Sequence, residues 1–352
     1  MSVKVAVIGT GWADTVQIPA FQAGGLEVVG VAGRNPDKAA QVAKRHHIPM
    51  STGDWRELLE LDCDLISVTS PPMLHKEQAI AVLEAGKHLI CEKPLALNRA
   101  EAEAMCEVAA QHPQQLALVD HELRLVPARR KAKELLAGGA VGRIFTVTVR
   151  ITSSFRAQPD KPWSWWSDAS LGGGVLGAIG SHALDGLRYL LPELADTIEI
   201  QGATLGRAYA QRPDADGGMR SVSSDDIVSL TFCMGDVVGT MLVHAVGLDE
   251  PVDLLTIRGE DGTLVLDKSL KLYLGKGDGQ LKEYVTHLPG IVPNRFRSNP
   301  FAAGSVLLAE ALADALHPEH TKLEQLQSLA TLHDGLAVQT LIDRTKVLAN
   351  WP

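Results

Sequence analysis

Val3-Lys4-Val5-Ala6-Val7-Ile8-Gly9-Thr10-Gly11-Trp12-Ala13-Asp14 decides the fold. A run of strand formers breaks at two glycines one residue apart and leads into a helical stretch over residues 15–23, where Pro19 marks an irregularity. A dinucleotide fingerprint needs this context. The first glycine makes the tight turn, the second lets backbone amides approach a pyrophosphate, and the helix N-terminus adds partial positive charge. Gly9, Thr10, Gly11, Trp12 and Ala13 are therefore the expected phosphate-side contacts. The third glycine position holds Asp14, whose carboxylate would repel a pyrophosphate, so Ala13 is expected to supply the small residue while Asp14 turns aside.

Working outward, residues 26–32 read as a second strand and 36–46 as an Ala-rich helix entered at Pro36. The alternation continues with strand 65–69, helix 73–85, strand 88–91, helix 99–111 and strand 116–119. Short apolar strands alternating with helices predict a doubly wound parallel sheet, a Rossmann domain over residues 1–120. The second strand runs into Ala32-Gly33-Arg34-Asn35-Pro36-Asp37-Lys38 with no acid at its end. Arg34 and Lys38 are placed to flank a 2'-phosphate, with Asn35 between them. This pattern favours NADP over NAD.

The strand 88–91 ends in Cys91-Glu92-Lys93-Pro94. Pro94 forbids helix at Lys93 and stops the strand, which leaves Glu92 and Lys93 where a doubly wound sheet opens its ligand crevice. Beyond residue 120 the pattern changes. After a helix over 127–136, strands at 143–152, 198–205, 227–232, 237–244, 254–258 and 263–267 follow with few helices between them, predicting a large open, mainly antiparallel sheet. Helices are expected at 181–191, 302–316 and 323–348, and a polar loop over 211–224. Residues 121–352 are thus expected to form an α/β domain for substrate binding and oligomerisation.

The chain has 352 residues, 45% of them hydrophobic and 21% charged, with net charge -9. That balance describes a globular protein and argues against a nucleic-acid partner, which wants a basic face. No apolar run reaches membrane-spanning length. Cys63, Cys91, Cys106 and Cys233 lack paired spacing and are expected to be buried reduced thiols of a cytoplasmic protein, with no metal centre.

Gly9-Thr10-Gly11, Ser70-Pro71-Pro72-Met73-Leu74-His75, Glu92-Lys93-Pro94-Leu95, and Gly172-Gly173-Gly174 leading to Gly180-Ser181-His182-Ala183-Leu184-Asp185 occur in that order. Together they resemble the Gfo/Idh/MocA oxidoreductases. The resemblance implies hydride transfer between nicotinamide and a hydroxyl or carbonyl carbon of a sugar, cyclitol or diol, in a homodimer or homotetramer. It also implies that Lys93 is the catalytic lysine, His182 the catalytic histidine, and Ser70, Pro71 and His75 the nicotinamide-ribose contact. The family often has an Asp four residues before the histidine; here Ala178 stands there.

His182 has a pKa suited to proton transfer and Lys93 the charge to stabilise an alkoxide. Asp185, one turn after His182, is placed either to orient the imidazole or to pair with Arg188. His121 and Glu122 follow the strand 116–119 and, with Asp185, are candidates to compensate for Ala178. Trp163, Trp165 and Trp166 form an aromatic cluster suited to stacking on a sugar face, while Arg156 and Lys161 leave an anionic substrate open. Two other readings compete: a nonenzymatic dinucleotide-binding regulator, and a cofactor-assisted lyase or glycosidase.

Overall fold

The computed structural model describes residues 2–248, 251–268, 271–277, 279–317 and 328–351. Strand β1 (Lys4–Ile8) is buried almost throughout, as expected of a strand covered by helices on both faces. It lies within a parallel sheet with β2 (Glu27–Ala32), β3 (Met50–Thr52), β4 (Leu65–Val68), β5 (His88–Cys91) and β6 (Ala117–Val119). The order is β3-β2-β1-β4-β5-β6, the Rossmann arrangement. It reverses between β1 and β4. The ligand crevice of such a sheet opens there, at the carboxyl ends of the strands.

Helix α1 (Ile18–Ala23) is preceded by a π turn, Ala13–Gln17. Pro19 has no N–H to give the Thr15 carbonyl, and the chain widens so that the Ile18 amide donates to the Ala13 carbonyl. Helix α2 (Pro36–His46) starts where Asn35 Oδ1 accepts from the Lys38 amide at 3.0 Å. Helices α3 (His75–Glu84) and α4 (Arg99–Gln111) complete the layers. Ile66, Val68, Leu83, Leu89 and Met105 lie in one core with them. The edge strand β3 was not expected, for three residues are too few to show an alternation.

The chain divides into two units, residues 1–126 with 288–336, and residues 127–287 with 337–352. The first therefore regains a late segment through α7 (Pro300–Leu316), which packs on α1. A division at residue 120 does not contain this return, because an apolar helix carries no mark of which sheet it will cover.

In the second unit α5 (Pro127–Ala137) and α6 (Ser181–Leu190) accompany β7 (Ile144–Thr152), β8 (Ile198–Gly206), the hairpin of β9 (Gln211–Pro213) and β10 (Met219–Ser221), β11 (Ile227–Met234) and β12 (Val237–His244). Strands β13 (Val252–Gly259), β14 (Gly262–Asp267), β15 (Leu272–Lys276) and β16 (Leu281–Tyr284) follow. The large sheet runs β16-β15-β14-β13-β7-β12-β11-β8. Only β7 and β12 pair in parallel, so the sheet is largely antiparallel as expected.

Three sequence expectations change. The polar loop over 211–224 contains the β9–β10 hairpin, whose second strand is wholly exposed and so shows no hydrophobic pattern. Strands β15 and β16 are not among the strands expected from sequence, and β16 too is exposed throughout. The helix expected over 323–348 is α8 (Leu332–Leu348), its start set by a reciprocal cap between Thr331 and Asp334; residues 323–327 lie outside the described residues. Cys63, Cys91 and Cys106 are buried thiols and Cys233 a half-buried one. No helix among the described residues is long and apolar enough to cross a membrane.

Candidate active site

Gly9 follows β1 with φ +142°, and a Cβ there would lie 2.7 Å from the Thr69 carbonyl oxygen. Only glycine fits. Its amide donates to the Ala32 carbonyl at 2.8 Å, which ties the loop to β2. Gly11 is exposed, and a Cβ on it would meet nothing within 4 Å. The loop's outer side is therefore an open backbone cradle at the switch point, which fits the pyrophosphate of a dinucleotide. Trp12 is 38% exposed beside it, and Ala13 is buried.

Asp14 turns aside as expected. Its carboxylate pairs with Arg45, and His46 Nε2 lies 2.9 Å away, both near the end of α2. Partial burial works against the charge, but hydrogen bonds from Arg45 and His46 prevail and hold the carboxyl below its usual range. Gly33 makes room for Thr10, since a Cβ there would sit 2.6 Å from Thr10 Cγ2. Arg34, Asn35 and Lys38 are exposed around that turn.

Behind β4, Ser70 donates to Gln78 Oε1 at 2.6 Å, and Pro71 leads into a short 3-10 turn, Pro72–Leu74. His75 is fully buried, with Nε2 2.8 Å from the Ser70 carbonyl and Nδ1 3.0 Å from that of Pro94. Burial pushes its pKa down while the carbonyls oppose that shift, and the ring lies as a clamp between the β4 and β5 loops. Ligand contact had been expected of His75. Its ring is instead spent on main-chain carbonyls, and its effect on the site is to hold the segment that carries Lys93.

Lys93 is half-buried just past the end of β5, with its amide donating to Glu92 Oε2 at 3.2 Å. Next to it, the Asp120 amide donates to the Cys91 carbonyl at 2.7 Å, and Asp120 Oδ2 accepts from Gln17 Nε2 at 3.0 Å. Gln17 Oε1 accepts in turn from Ser67 at 2.8 Å. Glu122 opens a 3-10 turn, Glu122–Leu125, and His121, 3% exposed, caps it. Desolvation raises all three carboxyls, Glu92 to about 8, Asp120 to about 6 and Glu122 well above its usual value. Their mutual repulsion adds to this for Glu92 and Glu122, and the Lys93 charge opposes it in each. Sequence reasoning missed Gln17 and used Asp120 only as a boundary.

A pH dependence follows. Between about pH 4.5 and 8 the folded chain holds a proton on Glu92 that the unfolded chain has released, so stability falls as pH rises through that window. Glu92→Gln is expected to flatten that fall. Urea midpoints at pH 6 and pH 9 measure it, and equal slopes in both proteins would exclude the effect.

In the second unit His182 lies in the first turn of α6, directly after a second π turn, Leu176–Gly180. His182 and Asp185 are 4% and 2% exposed. Ala178 is buried on the π turn, with its amide donating to the Gly174 carbonyl at 3.1 Å. The tryptophans sit on the segment before it. Trp163 donates to the Ser221 carbonyl at 2.9 Å, and Arg220 stacks over its ring at 3.4 Å. Trp165 and Trp166 are 5.6 Å apart, and Phe155 meets Trp166 edge-on at 5.2 Å.

Residues 3–121 match the model of an oxidoreductase family with an NAD-binding Rossmann fold, and residues 129–265 match the GFO/IDH/MocA C-terminal domain. An uncharacterized oxidoreductase of Synechocystis sp. is 33% identical over 290 residues, 81% of this chain and 74% of its own. The chain belongs to the Gfo/Idh/MocA oxidoreductase family. A levoglucosan dehydrogenase from Pseudarthrobacter phenanthrenivorans is 37% identical over 190 residues, 53% of this chain and 47% of that protein. The solved structure of a levoglucosan dehydrogenase in complex with NADH and levoglucosan superposes with TM-score 0.84 at 25% identity, covering 99% of this chain and 98% of that one.

Two expectations about this family member's charged residues are corrected. Arg156 is not available to an anionic substrate, because it is buried with Nε 2.9 Å from Asp226 Oδ1 and a second nitrogen 3.1 Å from Ser167 Oγ. Arg188 turns to the Ala195 carbonyl at 2.8 Å and the Asp196 carboxylate at 3.2 Å, so the pairing with Asp185 weighed from sequence is not its arrangement.

Proposed function

We propose that this family member is an NADP-dependent oxidoreductase acting on a hydroxyl or carbonyl carbon of a sugar, cyclitol or diol-like substrate. The observation that carries this is Lys93, held past the end of β5 among three desolvated carboxyls, in a sheet whose switch point carries an open glycine loop. The dinucleotide, when bound, supplies the hydride donor or acceptor. The amides of residues 10–13, in the loop that Gly9 shapes, would hold its pyrophosphate, and Ser70 and Pro71 would border its nicotinamide ribose.

Lys93 holds the substrate oxygen and stabilises the negative charge that grows on it during oxidation. His182 takes the hydroxyl proton and returns it in the reductive direction, with Asp185 orienting the ring. His121 and the tryptophans shape the sugar pocket, the rings combining apolar area with a polar indole edge. For assembly we propose a homodimer or homotetramer joined through the open face of the large sheet, where Val238 is 61% exposed.

NADP rather than NAD is supported by the exposed Arg34 and Lys38 beside a β2 end that lacks an acid. Arg34→Ala is expected to weaken NADPH about 10- to 100-fold and NADH little, the loss of one charge-assisted phosphate contact. Fluorescence titration of both cofactors, with absorbance turnover over a panel of sugars, tests the proposal. Tighter NADH binding by the unmodified chain would remove the NADP assignment. Absence of turnover on every sugar, cyclitol and diol would remove the substrate class.

A further inference from the structure

Ser223-Ser224-Asp225-Asp226 precedes β11 and has no part in the chemistry above, yet its Ser224, Asp225 and Asp226 side chains are buried. The run ties the Trp166–Ser167 segment to the segment that leads into His182. The Ser223 amide donates to the Ser167 carbonyl at 2.9 Å, and Ser224 Oγ to the Trp166 carbonyl at 2.7 Å. Asp225 then grips the next segment. Its carbonyl accepts from the Val175 amide at 3.1 Å and its Oδ2 from the Leu176 amide at 2.8 Å.

The glycine run is shaped to this carboxylate. Gly174 has φ +116°, and a Cβ there would lie 2.8 Å from Asp225 Cγ; one on Gly173 would lie 2.5 Å from the Trp166 carbonyl oxygen. Leu176 opens the π turn that continues directly into α6. The first amides of a helical segment lack partners within it, and a carboxylate that accepts from one fixes both the start and the direction of the segment. Ala178, in the middle of the turn, brings no polar side-chain atom for that purpose. Burial pushes the Asp225 carboxyl up to about 6, while the Leu176 hydrogen bond opposes the rise and the Lys346 charge does so more weakly.

We propose that Asp225 is a positioning residue for His182: from outside the π turn its carboxylate sets the first turn of α6, and with it the orientation of the imidazole. This rests on the assignment of His182 to proton transfer. Asp225 itself touches no substrate, since it is buried and its Oδ2 is bound to the Leu176 amide.

The test compares Asp225→Ala with Asp225→Asn, which keeps an acceptor oxygen for the Leu176 amide. Asp225→Ala is expected to lower kcat about 10- to 100-fold with the NADPH dissociation constant within about twofold of its original value, because the cradle belongs to the other unit. Asp225→Asn is expected to keep kcat within about threefold. Independently of turnover, the His182 ring resonance, assigned with His182→Gln, should shift in chemical shift and titration midpoint in Asp225→Ala and return in Asp225→Asn. Should Asp225→Ala fail to fold, Asp225→Asn decides alone, a shifted resonance overturning the proposal. So would an unshifted resonance in a folded Asp225→Ala. Lack of turnover in the unmodified chain would remove the functional proposal and leave the resonance to judge this one.

Discussion

Lys93→Ala is expected to reduce turnover by about three orders of magnitude while moving the NADPH dissociation constant by less than about threefold, a loss typical of removing a group that stabilises transition-state charge. The separation follows from where the parts lie. The loop of residues 9–13 proposed to hold the phosphates is backbone, its shape set by Gly9 against Thr69, and Lys93 lies outside it. What Lys93 contributes is one positive charge among Glu92, Asp120 and Glu122 in a desolvated place, where a charge acts far more strongly than in water. Without it all three carboxyls rise further, because the charge that opposes the rise in each is gone. Lys93→Arg keeps the charge but spreads it over a planar fork of different reach, and is expected to restore only part of the rate. Steady-state turnover with fluorescence titration of NADPH reads both quantities. Full activity in Lys93→Ala would take the residue out of the chemistry.

The cofactor half was legible because its signals are local. Two glycines after an apolar strand, Asn35 and Pro36 opening α2, and Pro94 stopping β5 each act within a few residues, so the chain order alone locates them. The polar interior was not legible. Gln17 and Asp120 lie 103 positions apart, and Arg156 and Asp226 70 apart, and no spacing rule joins such pairs. Arg156 was open to an anionic substrate in the sequence because its partner, Asp226, lies in a distant segment. The one available hint was Ser-Ser-Asp-Asp placed directly before a strand without glycine or proline, a polar run where an ordinary turn would need neither two hydroxyls nor two carboxylates. His75 shows the opposite error, a residue in a family motif whose buried ring serves the backbone rather than a ligand.

Asp226→Ala is expected to cost about 3–5 kcal/mol of stability, the usual consequence of leaving a buried charge without its partner. Both oxygens of Asp226 are engaged, Oδ1 with Arg156 Nε at 2.9 Å and Oδ2 with the Ala208 amide at 3.1 Å, and the pair is nearly inaccessible to water. Arg156 also anchors a second arginine, since Arg212 donates to the Arg156 carbonyl at 2.7 Å and to that of Gln158 at 2.8 Å while its guanidinium lies 4.9 Å from the Tyr209 ring. Removing the carboxylate therefore leaves two guanidinium groups in one desolvated place with their repulsion unopposed, which forces water in or the loop apart. The melting temperature should fall by on the order of 10 °C. The double variant Arg156→Met, Asp226→Leu is expected to recover much of that loss, because an apolar pair needs no desolvation of charge. Thermal and urea unfolding of Arg156→Met, Asp226→Leu and the double variant give the coupling energy directly. A drop of less than about 1 kcal/mol in Asp226→Ala would mean that solvent already reaches the pair, at the exposed-pair level of stabilisation.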